Sequence, residues 1–321
     1  MKDRTRRLAL TLPLVVGMAL ASAVASAEDT LKLAVGQRGN WDTSVSEIGH
    51  RAGIFKKHGV NLDLLYTQGS AETLQAVLSG SVDIGVGAGI MGVLAAYAKS
   101  APVRILGAET TGAADLFWYV RADSGIKTLK DTDGKTIAFS GKGSSTDGVV
   151  TAFIKQYGLK AIPTATGGPA QTLTSVMSGQ IDVGWSAPPF GFDQLDRKEI
   201  RIIATGNDAT VFKGQTVRLL ATNMQAIEGK KAALDNYMKA YRETIDFMYS
   251  DPAALKIWSD WLGLPQEKAK RAREEFFPKE AISPDKVVGL DTIVNDAVEM
   301  KYTPTPLTKE QLADLIRIPP R

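Results

Sequence analysis

The stretch TQGSAETLQAVLSGSVDIGVGA, from Thr67 to Ala88, recurs ninety-nine residues later as TGGPAQTLTSVMSGQIDVGWSA, from Thr166 to Ala187. The two copies align without a gap, and eleven of the 22 positions are identical. Upstream, AGIFKKHGVNL (52–62) also resembles AFIKQYGLKAI (152–162) with a small shift in offset. This internal repeat predicts two similar lobes in one chain, with a ligand site between them.

Each copy of the repeat reads as a helix followed by a buried strand. In the first copy, Leu74, Val77 and Leu78 fall at i, i+3 and i+4, which places apolar side chains on one helical face. A Ser-Gly pair follows at once, and glycine is the usual residue just past a helix end. The next segment, 82–86, is mostly apolar, as expected of a strand covered by helices on both faces. The pattern predicts α/β lobes whose ligand loops lie at the carboxyl ends of the strands.

The N-terminus predicts a secretory signal peptide over residues 1–27. It has four basic residues near its start, an apolar run from Leu8 to Ala21, and the small-residue exit Ala25-Ser26-Ala27 before Glu28. The apolar run is too short to span a bilayer comfortably. Removing the signal takes away four basic residues and one acidic residue, so the formal charge of +3 falls to zero. We therefore expect a periplasmic protein, cleaved near Ala27, with no affinity for nucleic acid.

The chain contains no cysteine, which excludes disulfides, cysteine-zinc sites, iron–sulfur clusters and a cysteine nucleophile. His50 and His58 have no partners at metal-ligand spacing, so neither a metal nor a cofactor is expected. The segment 87–92 fits G-x-G-x-x-G, but it follows a late strand and the second copy lacks it, which disfavours a dinucleotide site. The matched carboxylates Asp83 and Asp182 are interpreted as structural, each forming a bond between a helix end and a strand.

Four loops rich in glycine and hydroxyl residues follow the predicted strands, at 36–44, 68–72, 140–147 and 168–170. Three of them open helices, and helix N-termini offer free N–H groups and partial positive charge to an anion or a polar head group. Aromatic residues near these loops, Trp41, Trp118, Trp185 and Phe190, are candidates for an apolar wall. The alternative is that the serines cap their own helices and the tryptophans belong to the core.

Several segments together resemble one protein family. They are AGIFKKHGVNL (52–62), GSAETLQAVLSGSVDIGVGAG (69–89), PVRI (102–105), GIKTLKD (125–131) and GKTIA (134–138). With the signal peptide, they resemble the nitrate/sulfonate/taurine-type periplasmic substrate-binding proteins of ABC transporters. The resemblance implies a two-lobed type II binding-protein fold, in which each lobe is a mostly parallel sheet flanked by helices. Lobe 1 would comprise 28–115 plus 215–321, lobe 2 would comprise 116–214, and two hinge crossings would join them at 116–120 and 215–221.

The resemblance also implies a set of ligand-binding residues and no catalytic ones. The implied residues are Asn40, Trp41, Ser70, Gly87, Ala88, Gly89, Trp118, Gly143, Ser144, Ser145, Thr146, Pro169, Trp185 and Arg218. A buried Arg218 would pair a sulfonate or carboxylate bidentately, and Trp41 and Trp185 would stack on a flat ring. A sulfonate, nitrate, a carboxylate and a neutral heterocycle all fit these loops. We expect a small organic anion, with or without an aromatic body.

The implied function is capture of this ligand between the lobes and its delivery to an inner-membrane permease driven by a cytoplasmic ATPase. A monomer suffices for this task. Two alternatives stay open. One is a same-fold enzyme of pyrimidine or menaquinone biosynthesis, against which the predicted export and the lack of cysteine count. The other is a receptor whose closed form docks on a sensor kinase.

Overall fold

The computed structural model describes residues 29–321, and the predicted signal peptide lies outside them. The strands are β1 (Asp29–Gly36), β2 (Val60–Thr67), β3 (Ile84–Gly89), β4 (Val103–Thr111), β5 (Phe117–Arg121), β6 (Thr136–Phe139), β7 (Ile162–Ala165), β8 (Gly184–Ser186), β9 (Ile200–Thr205) and β10 (Thr216–Asn223). The helices are α1 (Val45–Arg51), α2 (Ile54–Lys57), α3 (Ser70–Leu78), α4 (Ile90–Ala98), α5 (Ser145–Tyr157), α6 (Pro169–Met177), α7 (Phe192–Asp196), α8 (Met224–Gly229), α9 (Lys231–Ser250), α10 (Pro252–Leu262), α11 (Gln266–Phe276), α12 (Leu290–Glu299) and α13 (Lys309–Leu315). Among the described residues, no helix combines the length and the apolar character that crossing a membrane requires.

A five-stranded sheet in the order β2-β1-β3-β10-β4 forms the centre of the first lobe. Strand β1 pairs in parallel with β2 and β3, whereas β10 runs antiparallel to β3 and β4. Four of the five strands therefore point the same way, and their carboxyl ends share one edge. Every residue of β3 is buried, as its continuous apolar run predicts for a strand covered on both faces.

The second lobe repeats this arrangement in two linked pieces. Strands β8-β5-β9 form one sheet and β6-β7 form another. A parallel bridge between Ile137 and Val183 joins β6 to the residues just before β8. The resulting order, β7-β6-β8-β5-β9, matches that of the first sheet, with β5 as the antiparallel strand in place of β10. The two copies of the repeat thus lie on separate sheets at equivalent positions.

The matched carboxylates have a structural role, as the sequence indicates, but their bonds run between strands. Asp83 Oδ2 accepts a hydrogen bond from the Lys32 backbone N–H of β1 at 2.8 Å. Asp182 Oδ2 accepts one from the Thr136 backbone N–H of β6 at 2.9 Å. Each carboxylate therefore adds a side-chain bond to the ladder just before the strand that follows the repeat helix.

The chain crosses between the lobes twice, and the two crossings lie side by side. The first follows β4 and leads into β5, while the second follows β9 and leads into β10. Gly112 donates its N–H to the Gln215 carbonyl at 2.8 Å, and Gly206 donates to the Leu116 carbonyl at 2.7 Å. The predicted crossing strands exist, and each pairs within one lobe as a central strand.

Two hydrophobic clusters organise the interior. One, which includes Leu33, Phe55 and Tyr237, fills the space between the five-stranded sheet and helices α1, α2 and α9–α11. The other runs from the opposite face of that sheet, at Leu74, into the second lobe at Phe153. Because both faces of the five-stranded sheet are covered, its carboxyl edge is where ligand-facing groups are expected.

Candidate functional site

Loops of the two lobes meet at the carboxyl edges of their sheets with almost no side chains between them. A Cβ atom built on Gly92 would lie 2.3 Å from the Gly143 carbonyl oxygen. One built on Gly89 would lie 2.8 Å from the Ser145 backbone nitrogen. Beside these contacts, Ser70 Oγ and Ser145 Oγ are 3.3 Å apart across the junction. Of the expected site residues, Ser70, Gly89, Gly143 and Ser145 are therefore brought together.

The loop before α5 and the first residues of that helix form hydrogen bonds with one another. Ser144 Oγ accepts from the Asp147 backbone N–H at 3.0 Å, so it caps the helix. Thr146 Oγ1 accepts from the Ser140 backbone N–H at 2.9 Å. The buried Asp147 carboxylate also accepts from the Gly143 N–H at 2.9 Å. The Asp147 carboxylate therefore already occupies the position at this helix end where an anion would bind. Ser144 and Thr146 stabilise the local structure of the loop.

The tryptophans lie in the core. Trp41 is fully buried, with its ring centre 5.0 Å from that of Trp258 in a T-shaped pair. Trp118 is also fully buried and donates its Nε1–H to the Ala138 carbonyl at 2.9 Å. Trp185 lies opposite Trp118 in the β5–β8 ladder and donates to the Gly167 carbonyl at 3.2 Å. The structure thus places Trp41 and Trp185 in different clusters and not around one flat ligand.

Arg218 is buried, as expected, but it already has two carboxylate partners. Its Nε donates to Asp42 Oδ2 at 2.9 Å, and its Nη2 donates to Asp115 Oδ2 at 2.7 Å. A third buried carboxylate, Glu109, accepts from the Gly87 backbone N–H at 2.7 Å through Oε2. The guanidinium therefore holds the β1–α1 loop and the first crossing against β10, and its charge is not free for an oxyanion.

The pKa shifts of Glu109, Asp115 and Arg218 reflect the composition of the cluster, in which three carboxyl groups surround one guanidinium. Burial raises the pKa of Glu109 well above its ordinary range, and the Asp42 charge raises it further. Burial also raises the pKa of Asp115, to about 6, against the opposing effect of Arg218. Burial alone would lower the pKa of Arg218, but the Asp115 and Asp42 carboxylates raise it above its usual value. Arg218 thus stays charged, while burial shifts Glu109 toward its neutral form.

Replacing Asp115 by asparagine should remove part of the pH dependence of stability. The folded-state pKa, about 6, exceeds the ordinary 3.8. Between these values the folded state binds more protons than the unfolded chain, so this carboxyl increases stability as pH falls. Asparagine does not titrate. The free energy of unfolding of the variant minus that of the wild type, from urea denaturation between pH 7 and pH 4, should therefore decrease as pH falls. A difference independent of pH would contradict the assignment.

Two amide side chains of the β1–α1 loop carry unpaired oxygens at the junction. Gln37 Oε1 and Asn40 Oδ1 are buried and have no hydrogen-bond partner within residues 29–321. Gln37 extends toward the start of α6, since a Cβ built on Gly168 would lie 3.1 Å from its Oε1. Pro169 is the first residue of that helix. Ala88, by contrast, is a core residue of β3 that pairs with Leu219.

A cavity of about 320 Å³ opens beside this junction, between the second lobe and helices α10 and α11 of the first. We call it the interlobe cavity; its lining is Tyr119, Pro169, Ala170, Leu173, Ser186, Pro189, Phe190, Gly191, Phe192, Asp193, Gln194, Leu262, Leu264 and Lys268. The β1–α1 loop borders it, because a Cβ built on Gly39 would lie 3.2 Å from Leu262 and 3.4 Å from Phe190. The lining includes two residues that the sequence suggested, Pro169 as a ligand contact and Phe190 as part of an apolar wall.

Sequence reasoning missed Tyr119, although it is adjacent to Trp118. Successive side chains of a strand point to opposite faces, so Tyr119 lies on the other face from Trp118, where it packs over Gly184 and borders the cavity. The lining residues of α10 and α11 carried no signal, because they reach the site only through tertiary packing.

Comparison with known proteins gives the family. A family model described as NMT1/THI5 like matches residues 48–255, more than half of the chain. The chain belongs to the NMT1/THI5-like family. Relatives from Brucella abortus and Brucella suis, each named as a putative binding protein, are 29% identical to it over 188 residues, which cover 57% of this chain and 54% of theirs. The chain spans about half the length of the curated relatives it matches.

Solved structures show the fold of this family member. The alkanesulfonate-binding protein SsuA from Xanthomonas axonopodis pv. citri, bound to MOPS, has a TM-score of 0.75 and 18% identity, covering 92% of this chain and 100% of that one. The periplasmic aliphatic sulphonate binding protein SsuA from Escherichia coli has a TM-score of 0.69 and 20% identity, with coverage of 91% and 93%. The periplasmic nitrate-binding protein NrtA from Synechocystis PCC 6803 has a TM-score of 0.69 and 14% identity, with coverage of 90% and 86%. The predicted type II periplasmic binding-protein fold is confirmed.

Proposed function

We propose that this protein is a periplasmic solute receptor that captures a small molecule between its lobes and delivers it to an ABC importer. The observation that carries the proposal is the contact of Gly89 and Gly92 with the 143–145 loop. Glycines at both positions let two separately folded sheets meet backbone to backbone. Such a junction excludes water from a ligand at the carboxyl edges, where open α/β folds bind their ligands.

The two-lobed form explains how binding would be signalled. A solute that touches both lobes does so only when they are together, so its binding energy shifts the population toward the closed form. The two adjacent crossings provide the hinge for such a movement. A permease with a cytoplasmic ATPase would then recognise the closed form. The same closed form would suit a sensor kinase, but family and fold both support transport.

The remaining elements of the proposal follow from the family and the sequence. The lobes divide at 28–115 plus 215–321 and at 116–214, the signal peptide is cleaved near Ala27, and the receptor acts as a monomer. Binding without catalysis is supported by the similar solved structures, which are named as binding proteins. An enzymatic function of the pyrimidine or menaquinone type has no specific observation in its favour.

Two ligand classes are candidates. An organic anion is what the sulfonate- and nitrate-binding neighbours suggest. In this chain, however, Arg218 is paired with Asp42 and Asp115, and the start of α5 already holds the Asp147 carboxylate. An anion would depend on the start of α6 and on backbone N–H groups. A mainly uncharged solute is the second candidate, because it needs no unpaired cation in the site.

A ligand of either class should stabilise the folded protein measurably. Because only the folded protein binds, a solute at a hundred times its dissociation constant should add about 2.7 kcal/mol to the free energy of unfolding. For a protein of this size, that corresponds to a rise of roughly 5–10 °C in melting temperature. Differential scanning fluorimetry with sulfonates, nitrate, carboxylates, pyrimidines and small alcohols tests this. If no compound raises the melting temperature, the receptor function itself is contradicted.

A further inference from the structure

We propose that helix α7 of the second lobe is a latch. Its contacts with helix α11 of the first lobe form only when the lobes are together, so they favour the closed form before any solute binds. The inference goes beyond the proposed receptor function, because it concerns the closing movement and not the ligand. It predicts a protein that is partly closed without solute and opens as salt is added.

Helix α7 reaches out of its own lobe. It lies between β8 and β9, which are strands of the second sheet. Its first residue, Phe192, is 1% exposed and belongs to a hydrophobic cluster whose other buried members, among the described residues, all come from the first lobe. The centre of the Phe192 ring lies 5.8 Å from that of Phe276 of α11. Opening of the lobes would therefore expose an apolar ring to water, which costs free energy.

Charged side chains reinforce this contact. Lys268 Nζ donates to the Asp193 carboxylate, and this bond lowers the pKa of Asp193. Arg271 Nη1 donates to Asp196 Oδ1 at 2.8 Å. The Arg271 guanidinium carbon also lies 4.4 Å from the centre of the Phe192 ring, which is within the range of a cation–π interaction. Two cations of the first lobe thus face two carboxylates of the second.

The spacing of these residues in the sequence explains why both pairs form together. Asp193 and Asp196 are three residues apart on α7, and Lys268 and Arg271 are three residues apart on α11. Residues at i and i+3 lie on one face of a helix. Each helix therefore presents its two charges on a single face, and the two faces match.

The latch is weak enough to release. The four charged side chains are between 32% and 57% exposed, and ion pairs of this kind contribute little individually and are screened by salt. The latch therefore shifts the equilibrium between the open and closed forms without locking it. If the solute binds only the closed form, its apparent dissociation constant is the intrinsic value divided by the closed fraction. The latch thus raises affinity without touching the solute.

The test measures the separation of the lobes without solute. The chain contains no cysteine, so Ala253→Cys and Ser178→Cys provide two unique sites for nitroxide labels. Both positions are exposed, and each lies at the end of α10 or α6 that is remote from the interlobe cavity. Pulsed electron paramagnetic resonance should show a short and a long distance. The ratio of short to long should fall between about 0.1 M and 1 M NaCl, as the Debye length shrinks from about 10 Å to about 3 Å.

Charge reversal assigns this effect to α7. In Lys268→Glu/Arg271→Glu, two glutamates face Asp193 and Asp196, and the ratio of short to long distances should fall about fivefold to tenfold. The changed side chains are partly exposed, so the fold should persist. Adding Asp193→Lys and Asp196→Lys restores opposite charges and should recover most of the ratio, apart from the contribution of the Arg271 cation–π contact.

The matched control reverses two charges within one lobe. Lys231→Glu/Lys279→Glu removes two lysines from exposed pairs with Asp235 and Asp246, and it should leave the ratio of distances unchanged. For a solute that raises the melting temperature, Lys268→Glu/Arg271→Glu should weaken binding by a factor no larger than its change in that ratio.

The outcomes separate the latch from the receptor function. A long distance alone in the unreversed protein, or an unchanged ratio in Lys268→Glu/Arg271→Glu, would overturn the inference, because α7 would then not resist opening. A fourfold variant that recovers nothing would do the same, since the loss would not come from these pairs. The distance measurements need no solute. The latch can therefore fail while the receptor function stands, and the receptor function can fail while the latch stands.

Discussion

Replacing Arg218 by methionine should lower the free energy of unfolding by about 3–5 kcal/mol, because it leaves buried carboxylates without their cation. Asp42 and Asp115 both lose a charged partner at less than 3 Å. Methionine preserves most of the side-chain volume, so the effect reports charge more than packing. For a protein of this length, the melting temperature should fall by roughly 6–20 °C at pH 7. Calorimetric unfolding measures both quantities.

Two comparisons make the Arg218 result interpretable. Arg197→Met removes an arginine from an exposed pair with Glu199 and should cost less than about 1 kcal/mol. Adding Asp115→Asn to Arg218→Met should restore part of the lost stability, since one unpaired charge is gone. The deficit of the single variant should also shrink toward pH 4, because Asp115, whose pKa is raised to about 6, is then protonated. A loss below 1 kcal/mol would show that the ion pairs do not hold the crossings together.

The fold was predictable because the sequence contains the pattern of one α/β unit twice. The repeat at 67–88 and 166–187 carries the same helix period, the same glycine stop and the same aspartate. The structure gives equivalent bonds to Asp83 and Asp182 on two sheets of equivalent order. Short-range patterns determine these features, so one sequence suffices to read them.

The partners of Arg218 were not predictable, because they lie far away in the sequence. Asp42 is 176 residues away and Asp115 is 103 residues away. A buried arginine opposite a ligand and a buried arginine between two carboxylates look identical in sequence. Only the packing of the first crossing against β10 and the β1–α1 loop distinguishes them. The expected anion-binding role of Arg218 thus depended on information that residue type does not contain.

For the aromatic residues of β5, too, the sequence does not determine which side chains contact the core. Strand β5 reads Phe117-Trp118-Tyr119, and its alternation predicts two faces without saying which one meets the core. Trp118 packs edge-on against Phe153 of α5, with ring centres 5.0 Å apart. This contact places Tyr119 on the opposite face of the strand. Size and hydrophobicity favoured the tryptophans as ligand contacts, whereas in the folded protein they are buried in the hydrophobic clusters.

Replacing Gly92 by alanine should hold the lobes apart and weaken solute binding. The new Cβ would lie 2.3 Å from the Gly143 carbonyl oxygen and 3.1 Å from the Gly143 carbonyl carbon. Because the obstacle is backbone, rotation of a side chain cannot relieve the clash. Gly92 is helical, so alanine suits its own lobe and the cost falls on closure. Overpacking of this kind costs about 1–3 kcal/mol, which is roughly 5- to 150-fold in the dissociation constant.

Small-angle X-ray scattering in the presence of a bound solute tests this, because the radius of gyration of the Gly92→Ala variant should then exceed that of the wild type. Titration of the solute that raises the melting temperature then measures the loss of affinity. Gly229→Ala is the control, since a Cβ there meets nothing within 4 Å; its scattering and affinity should equal those of the wild type. An unchanged radius together with unchanged affinity would mean that the junction of Gly92 with Gly143 is not the closing surface. The solute would then have to bind without movement of the lobes.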